Sequence, residues 1–443
     1  MAKRLPLALR AGALATAIAL VPVATAGLAA VDSRAAPEFA RLIAVYDRIK
    51  ADYVDPVDDD KLVKGAINGM LASLDPHSSY LDARDFANLR TQTEGSYGGL
   101  GLSVSLEDGA VKVIAPTKGS PADLAGVKAG DFITHLDGKL IYGGSLDDAV
   151  DQMRGVPGTS VRLTLVRPGR DDPIDVTITR QIIVLQPVDA KVVNGIGVIS
   201  VSSFSANVAT QVQNGWNKIK SETGGHPAGL ILDLRGDPGG LLDEAVALSD
   251  LFLDKGLIVS QRGRYARDTA SYSASPGDIA QGLPVVVLID VGSASASEIV
   301  AGALQDQHRA LIMGQRSFGK GSVQTLLPLG KDVALKLTTA RYYTPSGRSV
   351  QEGGITPDIA VPQLSDPDAR KRAARSYRES DLRGHLVNQI KDDKQLETDS
   401  NEDPRFKLTP DQLKAKGIDD FQLWYALQTI GRTTAPALAA RKR

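Results

Sequence analysis

The sequence contains no cysteine. That absence excludes disulfides, a thiolate nucleophile, a cysteine zinc site and a cysteine-borne lipid anchor. Histidine is scarce: the five residues His77, His135, His226, His308 and His385 are scattered, and none lies in an H-E-x-x-H frame. A zincin-type metalloprotease is therefore disfavoured. Net charge is nearly absent too, since 51 basic and 52 acidic residues leave −1. No global field draws in nucleic acid. Apolar content is not lacking. At 443 residues and 42% hydrophobic, the chain is long enough for a sizeable core and roughly three domains.

The one long apolar run sits at the start. Lys3, Arg4 and Arg10 precede the alanine-, leucine- and valine-rich residues 11–26, and Ala24-Thr25-Ala26 is a small-x-small cleavage candidate, with Ala30 a second. The pattern predicts a secretory signal peptide over 1–26. The competing reading is a retained anchor, but a run of 16 residues is short against the roughly 20 a span needs. The mature chain is therefore expected in the periplasm or otherwise outside the cytoplasm, or membrane-associated if the segment is kept.

Periodicity divides the rest. Phe39, Leu42, Ile43, Tyr46 and Ile49 form a helical stripe, a second helical stretch runs from Lys61 to Leu74, and Asp75-Pro76-His77 ends it. This gives an N-terminal helical region over 36–92. Residues 95–187 read as a compact β-rich module. It has a strand after the glycines of GGLGLSV (98–104), a short helix, turn and strand in 120–139, an amphipathic helix at 145–155 and a strand at 160–168. From 190 to 362 apolar strands (196–201, 228–234, 284–290, 310–314, 323–329, 333–339) alternate with helices near 207–222, 241–253 and 296–307, the pattern of an α/β sheet covered on its faces. Residues 366–443 begin with a strongly charged stretch, read to 404 as surface helix and linker. They then carry the apolar helix FQLWYALQTI (421–430), suited to dock on the body or on another subunit.

Three segments carry chemistry. Residues 289–306, IDVGSASASEIVAGALQD, run from strand through a small-residue turn into a helix, with Ser293, Ser295 and Ser297 in the turn. A helix start offers free amides to a developing oxyanion. Equally, Ser295 to Glu298 fits the S-x-x-E capping box, a purely structural device. In RSFGKGSVQTLLPL (316–329), Lys320 stands between two glycines at a strand mouth. No histidine carries a motif that marks it as a base, and a lysine whose burial disfavours its charge can take that role. Gln324, four residues on, can accept a proton from that lysine and orient it. In LILDLRGDPGGLLDEAV (230–246) a strand ends in a glycine-rich turn opening a helix, where Gly239 and Gly240 can aim N–H groups at a carbonyl. No G-K-[ST] follows, so it is not a P-loop.

In order and spacing these segments resemble the carboxyl-terminal processing peptidases, or tail-specific proteases, which are serine proteases with a PDZ domain. The resemblance also rests on GMLASLDPHSSYLD (69–82), the β-rich segment and YYTPSGRSVQEGGITPDI (342–359), and runs from roughly 40 to 362. It implies a multidomain α/β fold: a PDZ-like β-rich module plus an α/β (crotonase/ClpP-like) protease core, with helical N-terminal and C-terminal segments. It also implies Ser295 as nucleophile, Lys320 as general base, Gln324 as its partner, and the amides of Gly239 and Ala296 as oxyanion hole. In the PDZ module it points to the amides of Leu100, Gly101 and Leu102 for a substrate's terminal carboxylate, and to Arg154 for coupling peptide binding to the protease site. No metal or small-molecule cofactor is called for. Expected partners are protein or peptide substrates with free C-termini, with an adaptor protein and a homo-oligomer as further candidates and no nucleic acid. A PDZ scaffold that captures without cutting, a crotonase-type acyl-transfer enzyme and a trypsin-like protease are the weaker alternatives.

Overall fold

The protein is described as a computed structural model covering residues 37–366, 378–389, 406 and 408–441. The segment read as a signal peptide lies outside the described residues. The chain divides into two compact units at Ile67/Asn68. In the first, helix Pro37–Asp52 precedes the start of helix Asp59–Ala72. Asp59 accepts the Tyr46 hydroxyl at 2.6 Å and pairs with Lys50 at 2.5 Å.

In the second unit, strand Ser79–Leu81 precedes helix Ala83–Glu94, which is capped by the Asp82 side chain and ended by Gly95 in the left-handed region. The β-rich module follows. Its antiparallel strands Leu102–Glu107, Ala110–Pro116, Phe132–Leu136, Ser160–Val166 and Ile174–Thr179 lie side by side in that order. Alternation puts Val161, Leu163 and Leu165 on one face, packed with Val113, Ile133 and Ile178. Ser120 and Ser145 cap its two short helices, Pro121–Leu124 and Leu146–Met153.

The α/β body is built on a six-stranded sheet. Its order is Val188–Val193, Ile196–Val201, Leu230–Asp233, Val285–Ile289, Leu311–Gly314 and Ile359–Ala360; the first pair is antiparallel and the rest parallel. Continuous apolar strands such as Val285–Ile289 are buried along their whole length because both faces are covered. Helices Val208–Glu222, Leu242–Asp250 and Ala296–Asp306 pack on one face around Trp216, Phe252 and Val300. The tail helix Phe421–Arg441 covers the other, with Phe421, Ala426 and Ile430 against Ile231, Val286 and Leu288. So the apolar tail helix docks on its own chain's sheet. Phe421 stacks on Trp424 and meets Phe406 edge-on. Phe421→Ala should cost about 3–5 kcal/mol, read from urea unfolding.

Two expectations change. The strands near 323–329 and 333–339 do not join the α/β sheet. They form Ser322–Pro328 and Ala334–Tyr343 of a second, antiparallel sheet with Ser79–Leu81, Leu257–Gly263 and Ala270–Ser273. Apolar content announces a strand but not its partner. The charged stretch read as surface helix and linker also contains a buried piece: Glu379 is 0% exposed in the single turn Glu379–Asp381.

Candidate active site

The turn between Val285–Ile289 and helix Ala296–Asp306 sorts the three serines by what each hydroxyl touches. Ser293 is buried, donating to the Leu234 carbonyl at 2.8 Å and accepting the Asp290 N–H at 2.9 Å. Ser297 is buried and donates to the Asp237 carbonyl at 3.0 Å. Both tie the turn to the glycine-rich segment 233–240. Ser295 alone of the three is partly exposed, and it has φ 56° and ψ −110°. A non-glycine residue at positive φ is costly and persists only where its surroundings impose it.

Glu298 does more than cap the helix. One carboxylate oxygen accepts the N–H of Ser295 at 2.8 Å and of Lys320 at 2.9 Å; the other accepts the Ser317 hydroxyl at 2.5 Å and the Gly319 N–H at 2.7 Å. A single buried carboxylate thus ties the serine turn to the lysine loop. Burial pushes its pKa up to about 7 against the pull of these four donors.

The glycines beside Lys320 have a steric cause. A Cβ on Gly319, which has φ +98°, would stand 2.7 Å from the Glu352 carbonyl oxygen, and one on Gly321 would stand 2.6 Å from the Gln351 nitrogen. The loop therefore lies flat against residues 351–354. Burial lowers the Lys320 pKa, and the Lys336 charge lowers it further; Glu379, Glu298 and Asp75 act in the opposite direction. Tyr342 is buried beneath the loop, its hydroxyl donating to the Lys320 carbonyl. Burial holds that phenol well above its usual range, while the neighbouring Ser295 hydroxyl pulls it down. The serine and the lysine loop thus meet over Tyr342. Among the described residues no hydrogen bond joins the Ser295 hydroxyl to the Lys320 amine.

Gln324 follows a bulge at Val323/Gln324 that pairs it with Thr338. Its Nε2 donates to Ser322 Oγ at 2.9 Å and to Thr338 Oγ1 at 3.2 Å, and the described residues contain no bond from it to Lys320. Thr338 in turn meets Ser78, whose hydroxyl donates to Asp75 at 2.7 Å. Gln324 thus belongs to a polar string reaching the Asp75–Ser78 turn.

Gly239, at φ +95°, lies against the serine turn: a Cβ there would stand 2.8 Å from the Ala296 nitrogen and 2.9 Å from Ser295 Cβ. Its N–H, however, donates to Asp237 Oδ1 at 2.8 Å. The other Asp237 oxygen is buried without a hydrogen-bond partner, and burial raises the carboxyl to about pKa 7. The structure brings Gly239, Ser295 and Ala296 together, with the first amide engaged by its own turn.

In the β-rich module the carbonyls of Leu100 and Gly101 point inward, accepting the N–H of Ala122 at 3.0 Å and of Thr117 at 2.8 Å. Gly101, at φ +75°, allows this approach, since a Cβ would stand 2.3 Å from Ser120 Cβ. Leu102 opens the following strand. Arg154 closes helix Leu146–Met153, donates to Asn88 Oδ1 and lies 5.1 Å from the Tyr97 ring centre. From Asn88 the helix Ala83–Glu94 leads to Thr93, whose carbonyl accepts Ala206 N–H at 2.8 Å; the Phe204 N–H in turn reaches the Gly239 carbonyl at 3.0 Å. Arg154 is therefore connected to the Gly239 turn through an element that sequence reasoning left without a role. Glu298 was visible only as a cap, and no signal in the charged tail marked Glu379.

Comparison with known proteins agrees with this architecture. Residues 195–361 match Peptidase family S41, 112–167 match the PDZ domain and 23–85 match the activating protease CtpB N-terminal domain. The chain is 49% identical over 358 residues to a carboxy-terminal-processing protease of Bartonella bacilliformis, covering 81% of this chain and 82% of that one. It is 37% identical to the carboxy-terminal processing protease CtpA of Bacillus subtilis, covering 73% and 68%. A solved photosystem II D1 C-terminal processing protease aligns at 32% identity and TM-score 0.43, over 73% of this chain and 86% of that one.

Proposed function

Because the chain belongs to the carboxy-terminal processing proteases of peptidase family S41, and so is a serine-type peptidase carrying a PDZ domain, we propose that Ser295 is its nucleophile and Lys320 its general base. The observation that carries this reading is a half-buried lysine, its pKa lowered by desolvation, on a loop that one carboxylate ties to the turn of the partly exposed serine. The neutral amine takes the Ser295 proton as Oγ attacks the scissile carbonyl. The oxyanion is held by the Ala296 N–H at the helix start and by the Gly239 N–H once Asp237 gives it up. The ammonium then protonates the departing amine. Water attacks the acyl-enzyme with the same lysine as base, which releases the new C-terminus and restores the serine. Gln324 is the lysine's partner in this reading, turning from Ser322 and Thr338 when substrate arrives.

The PDZ domain holds the substrate's terminal carboxylate on the amides of Leu100, Gly101 and Leu102, with the peptide added as a strand. The run from Arg154 through Asn88, Thr93 and Phe204 to Gly239 supports Arg154 as the coupling residue. The basic-then-apolar N-terminus supports export, with cell-envelope proteins as substrates in the periplasm or otherwise outside the cytoplasm. An adaptor protein and a homo-oligomer complete the proposed partners.

An unstructured substrate with an apolar tail tests the reading. With a free C-terminal carboxylate it should be cut about tenfold faster than its C-terminal amide, because a charge-assisted contact is lost. Equal rates would remove the carboxylate-docking role. Continued cleavage by Ser295→Ala would remove the nucleophile.

A further inference from the structure

The segment 378–389 comes from one of the most charged parts of the chain, yet its Glu379 is fully buried. A buried carboxylate is retained only where partners compensate its lost hydration. Glu379 Oε2 lies 2.7 Å from His77 Nε2, and Oε1 accepts Gln351 Nε2 at 2.9 Å. Gln351, itself fully buried, accepts the Gly321 N–H at 3.0 Å. The Glu379 N–H reaches the Phe318 carbonyl at 3.2 Å. Further along, His385 Nε2 lies 2.7 Å from Glu352, whose N–H donates to the Gly319 carbonyl at 2.8 Å. The segment therefore grips the lysine loop on both flanks.

We propose that residues 378–389 are a strap completing the pocket of the base. In it Glu379 is a positioning residue that holds the Gly319–Gly321 loop through Gln351, braced by His77, and sets the negative charge that Lys320 faces. The proposal rests on Lys320 as general base. The charged groups facing Lys320 come from four elements: Lys336 on the long strand, Glu298 on the helix after the serine, Asp75 in the turn before Ser79–Leu81, and Glu379 on the strap. Lys336 opposes protonation of the amine, while the three carboxylates favour it. Removing one carboxylate makes the amine easier to discharge.

The test compares kcat/KM against pH for the full chain and its variants. Glu379→Gln should move the acid limb of the profile down by about 0.5–1 pH unit, and Glu379→Asp, which restores the charge, should return it toward the wild-type position. Gln351→Leu cuts the tie to Gly321, so it should lower kcat about tenfold with KM unmoved; because it also removes a donor to Glu379, any movement of its acid limb should be downward, as in Glu379→Gln. A Glu379→Gln limb that stays in place, whether the rate falls or not, overturns the charge role. An unchanged kcat in Gln351→Leu overturns the positioning role and decides the matter if Glu379→Gln does not fold. Lys320→Ala is run alongside. If it still cuts, the general-base reading has failed; if it is inactive while the limb does not move, only the strap has failed.

Discussion

Lys320→Ala and Lys320→Arg should each lower kcat/KM by about a thousandfold or more while the protein stays folded. Loss of a positioned base costs about 10²–10⁴ in rate, and the serine has no other activating group in this reading. Arginine preserves positive charge but does not give up its proton near neutrality, so it should fail as badly as alanine. Stability should move the other way. Burial lowers the lysine's pKa from its free value of 10.5, so the folded state gives up that proton more readily than the unfolded chain does. The group therefore weakens the fold below its folded pKa, and that penalty fades as pH rises toward 10.5. Lys320→Met, which keeps most of the volume, should match or exceed wild-type stability in urea near neutral pH while remaining inactive. Near-normal cleavage by Lys320→Ala would end the mechanism, whatever the stability result.

Glu298→Ala should be the most damaging change outside the Ser295–Lys320 pair. It leaves four donors without their acceptor, two of them buried, the Gly319 N–H and the Ser317 hydroxyl, and two half-buried, the N–H groups of Ser295 and Lys320. Unsatisfied buried donors cost about 1–3 kcal/mol each and do not simply add, so a total of about 3–5 kcal/mol is expected from denaturant unfolding. The catalytic loss should exceed what unfolding explains, because the serine turn and the lysine loop lose their common anchor. Glu298→Gln separates the two effects. With its oxygen toward Ser295 and Lys320, its amide faces Ser317, whose hydroxyl already accepts the Ile355 N–H and can accept the amide as well by turning its own hydrogen away; the Gly319 N–H is opposed and the Ser317 O–H loses its acceptor. This variant should stay folded and lose about 10–100-fold in kcat with little change in KM.

The same carboxyl makes a signed prediction about pH. Glu298 rises from 4.5 to about 7 on burial, so the folded state holds this proton more tightly than the unfolded chain. Its contribution to stability is complete below about pH 4.5 and is lost as pH rises through about 7, a span worth about 3 kcal/mol. Asp237 is raised in the same direction. Glu298→Gln should flatten the fall in unfolding free energy between those pH values, and a slope identical to wild type would contradict the assignment. Only the ionised carboxylate accepts from all four donors, so activity should fall on the acid side even though stability does not.

What the sequence determined by itself is local. A buried five-residue apolar strand, a turn of small residues and a helix start are written in consecutive positions, as are a lysine between glycines and the strand alternation of the PDZ domain. Backbone sterics and hydrophobic period act over a few residues, so they can be read from a few residues. Tertiary structure decided everything that depends on a partner far along the chain. It spent the hydroxyls of Ser293 and Ser297 on carbonyls some sixty residues away and left that of Ser295 partly exposed. It placed Ser322–Pro328 in a second sheet, where a bulge sets Gln324 beside Thr338. It aimed the Gly239 amide at Asp237. It also buried Glu379 of a charged tail against His77, 302 positions earlier. Composition assigns such a glutamate to the surface because hydration favours it there. Only a folded chain that brings an imidazole and an amide to the same point makes its burial affordable.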